Sequence, residues 1–354
     1  MRLSLILALL LAACGGPSNA GDDTPAPDAQ VDDTGCSARS PRSTAPEAFV
    51  GPTGLQNRLF ALIDGAQQTL DVQMYLFTVT GIADRIIAAN QRGVAVRVLL
   101  DPDHEGNAGA RARLTAGGVV NRNAPTLYSF AHAKYMILDG TTALIMSANF
   151  NVDAMNNERN YGIIDRDAGD VADLQAIFEM DWAAGGGEPA RPADLGCTRL
   201  IVSPNNAKPR LLELINGAQT TLDVEALYVT EDGVRSAIGQ AKQRGVAVRV
   251  ILDGSSDSAG STALFQGLGI EVHHPTSFFL HAKLVIADGV AFIGSENFSQ
   301  TSLTKNREVG ALIFEPTATT VIQQQFDSDW TTTPIGGNPA GAPVGGRSPG
   351  AIAP

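Results

Sequence analysis

The sequence predicts an α/β fold built from two tandem halves, each an α/β sandwich, related by pseudo-twofold symmetry. Three observations lead there. The chain has 354 residues, enough for two ordinary domains with real cores. Its 44% apolar and 18% charged content excludes a disordered, collagen-like or coiled-coil chain. It also repeats itself. Leu62-Ile63-Asp64-Gly65-Ala66-Gln67 returns as Leu214-Ile215-Asn216-Gly217-Ala218-Gln219. Gln91-Arg92-Gly93-Val94-Ala95-Val96-Arg97 returns as Gln243-Arg244-Gly245-Val246-Ala247-Val248-Arg249, with the same spacing between the two blocks.

Taken in order, residues 1–13 carry Arg2 and then a short apolar run, too short to span a membrane and suited to a signal peptide. Leu11-Ala12-Ala13-Cys14 resembles a bacterial lipobox, so Cys14 is the expected lipidation site. Residues 14–46 are rich in Gly, Pro, Asp and Ala and read as a disordered tether. The first half is 47–184. In it, Leu55 to Ala66 predicts a helix, Leu70 to Thr78 a strand, Ile82 to Gln91 a helix stopped by Gly93, and Val94 to Leu100 a strand. This alternation is that of βαβ units. A Gly/Pro-rich linker, 185–196, precedes the second half, 197–330. Phe178-Glu179-Met180-Asp181-Trp182 and Phe326-Asp327-Ser328-Asp329-Trp330 close the two halves alike, Trp182 and Trp330 serving as packing residues. The Gly/Pro run of 331–354 reads as a disordered tail.

The net charge of −12 disfavours general binding to nucleic acid or anionic membrane, although part of it sits in the tether. Three cysteines are too few for a disulfide scaffold or a Cys-rich zinc site. Cys36 and Cys197 stand just before the two halves and are a possible disulfide in an exported protein.

The chemistry concentrates in two segments. His132-Ala133-Lys134 runs on through apolar residues to Asp139, then Ser147-Ala148-Asn149. His281-Ala282-Lys283 runs on to Asp288, then Ser295-Glu296-Asn297. Each His and Lys stand two apart, which puts both on one face of a strand. Asp139-Gly140 and Asp288-Gly289 are turn signals. One such histidine would read as a core residue; two copies at corresponding repeat positions, from five histidines, point to shared function.

These segments resemble the HKD motifs of the phospholipase D superfamily, from about Phe49 to Trp330. The first copy departs from the family pattern at Met146, where a glycine is usual, and a narrower pocket would follow. Asn156-Asn157-Glu158 and Asn306-Arg307-Glu308 resemble the family's Asn-x-Glu element, but their glutamates lie 11 and 13 residues beyond the serines. The resemblance implies two phospholipase D-like sandwich halves forming one site in a monomer, without metal or cofactor. It implies His132 as covalent nucleophile and His281 as general acid, with Lys134 and Lys283 holding the phosphoryl oxygens. Ser147, Asn149, Ser295 and Asn297 would bind substrate, Glu158 and Glu308 would orient the histidines, and Asp139 and Asp288 would be structural.

The expected substrate is a phospholipid, cleaved beside a membrane in the cell envelope, or away from it if Cys14 is not lipidated and the protein is secreted. A nuclease is the alternative, with Arg111, Arg113, Arg122, Lys305 and Arg307 as a local basic rim for nucleic acid. A cardiolipin synthase-like transferase and a non-catalytic binding lipoprotein are further alternatives. His104 reads as a solvated loop residue, and His273 and His274 as pocket wall or surface. Leu127, Tyr128, Phe130, Phe278 and Phe279 lead into the motifs and would line the site mouth.

Overall fold

The structure is a computed structural model and describes residues 40–336. The expected signal peptide, Cys14, Cys36, most of the tether and residues 337–354 lie outside the described residues. Cys197 is disulfide-bonded.

The first half comprises β1 (Glu47–Gly51), α1 (Leu55–Gly65), β2 (Thr69–Met74), α2 (Thr80–Gln91), β3 (Ala95–Leu100), α3 (Ala108–Ala116) and β4 (Val120–Asn123). It continues with β5 (Tyr135–Leu138), β6 (Thr142–Met146), α4 (Val152–Asn156), β7 (Glu158–Asp165) and α5 (Ala168–Gly185). The second half comprises β8 (Leu200–Ser203), α6 (Ala207–Gly217), β9 (Thr221–Ala226), α7 (Asp232–Gln243), β10 (Ala247–Leu252), α8 (Ser256–Gly267) and β11 (Glu271–His273). Then come β12 (Phe279–Leu280), β13 (Lys283–Ala287), β14 (Val290–Gly294), α9 (Gln300–Thr304), β15 (Glu308–Ile313) and α10 (Pro316–Thr332).

The two sheets have one order: β1-β7-β6-β5-β2-β3-β4 in the first, β8-β15-β14-β13-β9-β10-β11 in the second. The chain is therefore mixed α/β in two tandem halves. The short β12 leaves its own half and pairs in parallel with β7, Phe279 facing Glu158 and Leu280 facing Arg159.

The repeated residues make the repeated elements. Arg97 grips Asp71 with two hydrogen bonds of 2.7 Å, and Arg249 grips Asp223 identically. Each guanidinium lies over the ring of Phe178 or Phe326 and reaches Glu179 or Asp327. Arg92 and Arg244 donate to the last carbonyls of α1 and α6, which a helix end leaves unsatisfied. Gly93 and Gly245, at φ 95° and 93°, take the left-handed turn that stops α2 and α7. Asp139 and Asp288, at φ 55° and 48°, turn β5 into β6 and β13 into β14. Their carboxylates accept backbone N–H groups from Gln67, Gln68 and Thr69, or from Gln219, Thr220 and Thr221.

Each half buries an apolar layer under its first helices, around Leu59, Ile63, Val98 and Leu144 in one and Leu211, Ile215, Val250 and Phe292 in the other. The third layer is common to both. Tyr135, Ile163, Phe178 and Trp182 pack in one cluster with Leu284, Ile293, Val309 and Phe326. Each such side chain contributes about 1.5–3 kcal/mol by burial, so separating the halves would expose a core.

The described ends are shorter of disorder than their composition suggests. Arg42, placed in the tether by sequence, ion-pairs with Asp170 at 2.7 Å and donates its backbone N–H to Glu315. Buried Arg199 gathers Asp165, Asp170 and Glu315 at the same point. Thr331 and Thr332 complete α10, and Ile335 forms a β-bridge with His273 at the edge of the second sheet. His273 and His274 are consequently buried rather than on the surface, His273 stacked on Trp330 with ring centroids 3.7 Å apart.

Candidate active site

The two motifs meet where the sheets abut. Both histidines fall just before their strands, in extended segments held by the opposite half. His132 N–H donates to the Arg307 carbonyl at 2.8 Å, and His281 N–H to the Arg159 carbonyl at 3.1 Å. The side chains of those arginines cross back. Arg159 pairs with Asp329 at 2.7 Å and Arg307 with Asp181 at 2.8 Å, with both carboxylates and Arg307 buried. Tyr128 also donates to Asp181, so it belongs to this clamp and not to the site mouth. Asp101, which ends the repeated strand block, accepts the Ala131 N–H at 2.7 Å and fixes the approach to His132.

Four motif side chains are buried together. Lys134 Nζ donates to the carbonyl of His132, and Lys283 Nζ to that of His281 at 2.6 Å. Burial drives the His132 imidazole down to about 4, against the pull of Glu308 and aided by both lysines. Burial, then Lys283, Lys134 and His132, press His281 well below its ordinary value. Burial lowers Lys283 to about 7 and Lys134 well below its usual range. Desolvation thus disfavours the charged form of each base in the empty site, and a bound phosphodiester anion would favour it.

Glu308 Oε2 lies 2.7 Å from His132 Nδ1, while its Oε1 accepts from Ser302 and Asn306. Burial alone would raise this carboxyl, but His132 and Lys134 outweigh it and hold it below the ordinary carboxylate range. The first half differs. His281 Nδ1 meets Asn160 Oδ1 at 3.0 Å, and Glu158 Oε2 stands behind at 3.7 Å. Strand register explains why. Ser147 N–H donates to Tyr161 and Ser295 N–H to Val309. Met146 faces Gly162, and Gly294 faces Gly310. Asn160 therefore occupies the position of Glu308, and Glu158 that of Asn306. The motif-like alignment of Glu158 with Glu308 is corrected to this one.

Ser147 Oγ donates to Asn160 Oδ1 at 2.8 Å, and Ser147 and Ser295 accept the backbone N–H of Tyr161 and Val309. The serines thus pin strands where substrate contacts were expected. Asn149 and Asn297 are buried with their side-chain oxygens unbonded. Asp139 and Asp288 lie at the far ends of β5 and β13 from the histidines, in their turns. Met146 lies in the first half's apolar core. In the second half Gly294 and Gly310 leave room for buried Glu296, which neither sequence motif had singled out; burial, then Glu308, holds its carboxyl well above the usual range. The signal for Asn160 was the gap of 13 from Ser295 to Glu308, which counted from Ser147 reaches Asn160.

The expected basic rim does not form. Arg111 donates to the carbonyls of Leu100 and Asp101, and Arg122 to that of Trp182. Arg113, exposed, pairs with the equally exposed Asp84, and Arg307 is buried; Lys305 is exposed as well. His104 packs its ring edge-on against Tyr75, 4.9 Å between centroids, and Tyr75 in turn packs against His132 at 4.4 Å. Half-buried Phe130 and Phe279 flank Tyr75 and His281, and Leu127 is exposed. Among the described residues no three His, Cys, Asp or Glu side chains cluster to hold a metal, and no helix is long and apolar enough to cross a membrane.

The sequence profile described as "Cardiolipin synthase, PLD-like domain" matches residues 59–182 and again 211–330. The chain belongs to this family of the phospholipase D superfamily. A probable cardiolipin synthase of Bacillus subtilis (strain 168) is 24% identical over 77% of this chain and 63% of its own length. A mitochondrial cardiolipin hydrolase of Xenopus tropicalis is 31% identical over 36% of this chain and 60% of its own length. The chain thus spans about three fifths of these curated relatives. The phosphatidylserine synthase of Haemophilus influenzae Rd KW20 shares the fold with a TM-score of 0.66 at 14% identity, over 84% of this chain and 88% of that one. A polyphosphate kinase from Porphyromonas gingivalis does so at 0.63 and 17%, over 80% and 46%. The PLD fold alone therefore does not select a reaction.

Proposed function

We propose that the chain is a phosphodiesterase of phospholipase D type that acts on phospholipid head groups through a phosphohistidine. The observation that carries this reading is the burial of two His-x-Lys pairs in one site, with the first half's histidine bonded to a carboxylate of the second. Phosphodiester transfer needs a nucleophile, a leaving-group acid and cations at the non-bridging oxygens, and these side chains supply them. Neutral His132 attacks phosphorus through Nε2 while Glu308 stabilises the ring as it becomes cationic. His281, charged once the phosphodiester anion is bound beside it, gives its Nε2 proton to the departing alkoxide and later takes one from water or an alcohol. Lys134 and Lys283 hold the phosphoryl oxygens. Water as acceptor yields phosphatidic acid; an alcohol yields head-group exchange.

The lipid class draws support from the cardiolipin synthases and hydrolases among the relatives, and from exposed Leu127 and half-buried Phe130 and Phe279 at the motif approaches. The engagement of Arg111, Arg122 and Arg307 by carbonyls and carboxylates of the protein, and of surface Arg113 by Asp84, weakens the rim a nuclease reading relied on. Attachment through a lipid on Cys14 in the cell envelope belongs to the same proposal, and would set the site beside its substrate. Purified protein in EDTA is to be incubated with phosphatidylcholine, phosphatidylglycerol, cardiolipin, and single- and double-stranded DNA. Head-group release or exchange that is abolished in His132→Ala is expected; DNA cleavage alone, or no turnover of any lipid, would overturn the reading.

A further inference from the structure

The two histidines have unlike partners. At equivalent places in β7 and β15, the first half reads Glu158-Arg159-Asn160 and the second Asn306-Arg307-Glu308. Carboxylate and amide have changed places around a common arginine. Three bonds fix the Asn160 amide: Oδ1 accepts from Ser147 Oγ at 2.8 Å and faces His281 Nδ1 at 3.0 Å, while Nδ2 donates to Glu158 Oε2 at 3.2 Å. Turning the amide over would set Oδ1 against the Glu158 carboxylate, acceptor against acceptor, so Nδ2 faces Glu158 and Oδ1 faces the ring. His281 then carries its proton on Nδ1 and presents Nε2 to the site.

We infer that Asn160 is the positioning residue of His281, and that its exchange with a carboxylate divides the labour between the two histidines. This rests on the phosphodiesterase reading above. When His132 Nε2 forms its bond to phosphorus, the bond from phosphorus to the alkoxide oxygen breaks and the ring becomes cationic. Glu308, on Nδ1, neutralises that cation directly. His281 plays the opposite part. Its imidazolium must give up the Nε2 proton to the alkoxide, then regain one from the incoming water or alcohol as the P–N pair returns to His132. A neutral amide on Nδ1 keeps the ring oriented while leaving the imidazolium a better acid than a carboxylate would. The other charged groups facing His281 are Lys283 on its own strand, Lys134 and His132 from the first motif, and Glu158 beyond the amide.

The test uses the full chain with ring-¹⁵N-labelled histidine, and compares wild type with Asn160→Asp, Asn160→Ala and the double exchange Glu158→Asn/Asn160→Glu. The double exchange gives the first half the second half's arrangement and guards against a single variant that fails to fold. In NMR titrations, Asn160→Asp and the double exchange are expected to move His281 upward by about one pH unit or more and leave His132 in place. Asn160→Ala should lose the fixed Nδ1–H tautomer. These readouts need no turnover, so they stand apart from the proposed reaction. With a lipid that is turned over, the alkaline limb of kcat should move upward in the double exchange, and label trapped from wild type should lie on His132. An unmoved His281 titration in both carboxylate variants, or wild-type label on His281, would overturn the inference.

Discussion

Glu308 Oε2 stands 2.7 Å from His132 Nδ1 although 176 positions of chain and a change of half separate them. The carboxylate is also bonded by Ser302 and Asn306, so its place is fixed before any ligand arrives. Glu308→Gln keeps the shape and removes the charge that supports a cationic ring. The expected result is a fall in kcat of about 10²–10³-fold with KM little changed, since proton-handling groups are worth that much. Steady-state kinetics on the lipid that wild type turns over, with circular dichroism to confirm folding, would check it. A loss below about threefold would show that His132 works without its carboxylate.

The crossed pairs Arg307–Asp181 and Arg159–Asp329 join the halves beside the same site. Arg307 and Asp181 are each about 1% exposed or less. Arg307→Met leaves Asp181 buried without its cation and is expected to cost about 3–5 kcal/mol, whereas Arg307→Met with Asp181→Leu should recover most of it. Urea denaturation measures both. If the double variant is as unstable as the single, the pair's value lies in the backbone it holds at His132 and not in its charge.

Much of this was legible because one physical need recurs twice. Asp71 with Arg97, Gly93, Arg92 and Asp139 repeat in sequence because each sheet needs the same grip, stop and turn. The His-x-Lys pairs were legible for the same reason. Asn160 was not, because the swap of Glu and Asn keeps composition and register while exchanging which of the two meets the histidine, and a motif search follows the letter Glu. The basic rim failed for another reason. Sequence counts arginines but not the carbonyls and carboxylates, such as those of Leu100, Trp182 and Asp181, that fold back to meet them. The ends of the chain misled where composition hid single anchors: Arg42 docks on Asp170, and Ile335 on the edge of β11.

Glu225 offers a test by pH. It is buried in β9, accepts from the Tyr161 hydroxyl at 2.6 Å, and burial followed by Asp329 pushes its carboxyl up to about 8. The unfolded chain releases this proton near 4.5. Its folded value is the higher one, so its contribution to stability is full below about 4.5 and is lost as pH rises through about 8. Thermal unfolding of wild type should therefore weaken from about pH 5 to 8, and Glu225→Gln should flatten that slope. Equal slopes in the two proteins would place the Glu225 proton elsewhere.

Lys283 sets a second pH window, this one in binding. Burial holds its ammonium at about 7, and the carboxylates of Glu158, Glu308 and Glu296 only partly oppose this. Above about pH 7 the empty site therefore loses a positive charge that a phosphoryl group would need. Both motif histidines are already uncharged in that range, since burial lowers His132 to about 4 and His281 well below its ordinary value. Sulfate keeps the same charge across neutral pH, so its affinity reports the protein alone. The apparent Kd for sulfate should rise by about tenfold per pH unit above pH 7, measured by calorimetry from about pH 6 to 9. Lys283→Met should bind weakly and without that slope. A flat profile in wild type would mean that Lys283 stays charged in the empty site, and that its bond to the His281 carbonyl marks a lysine with its ordinary proton affinity.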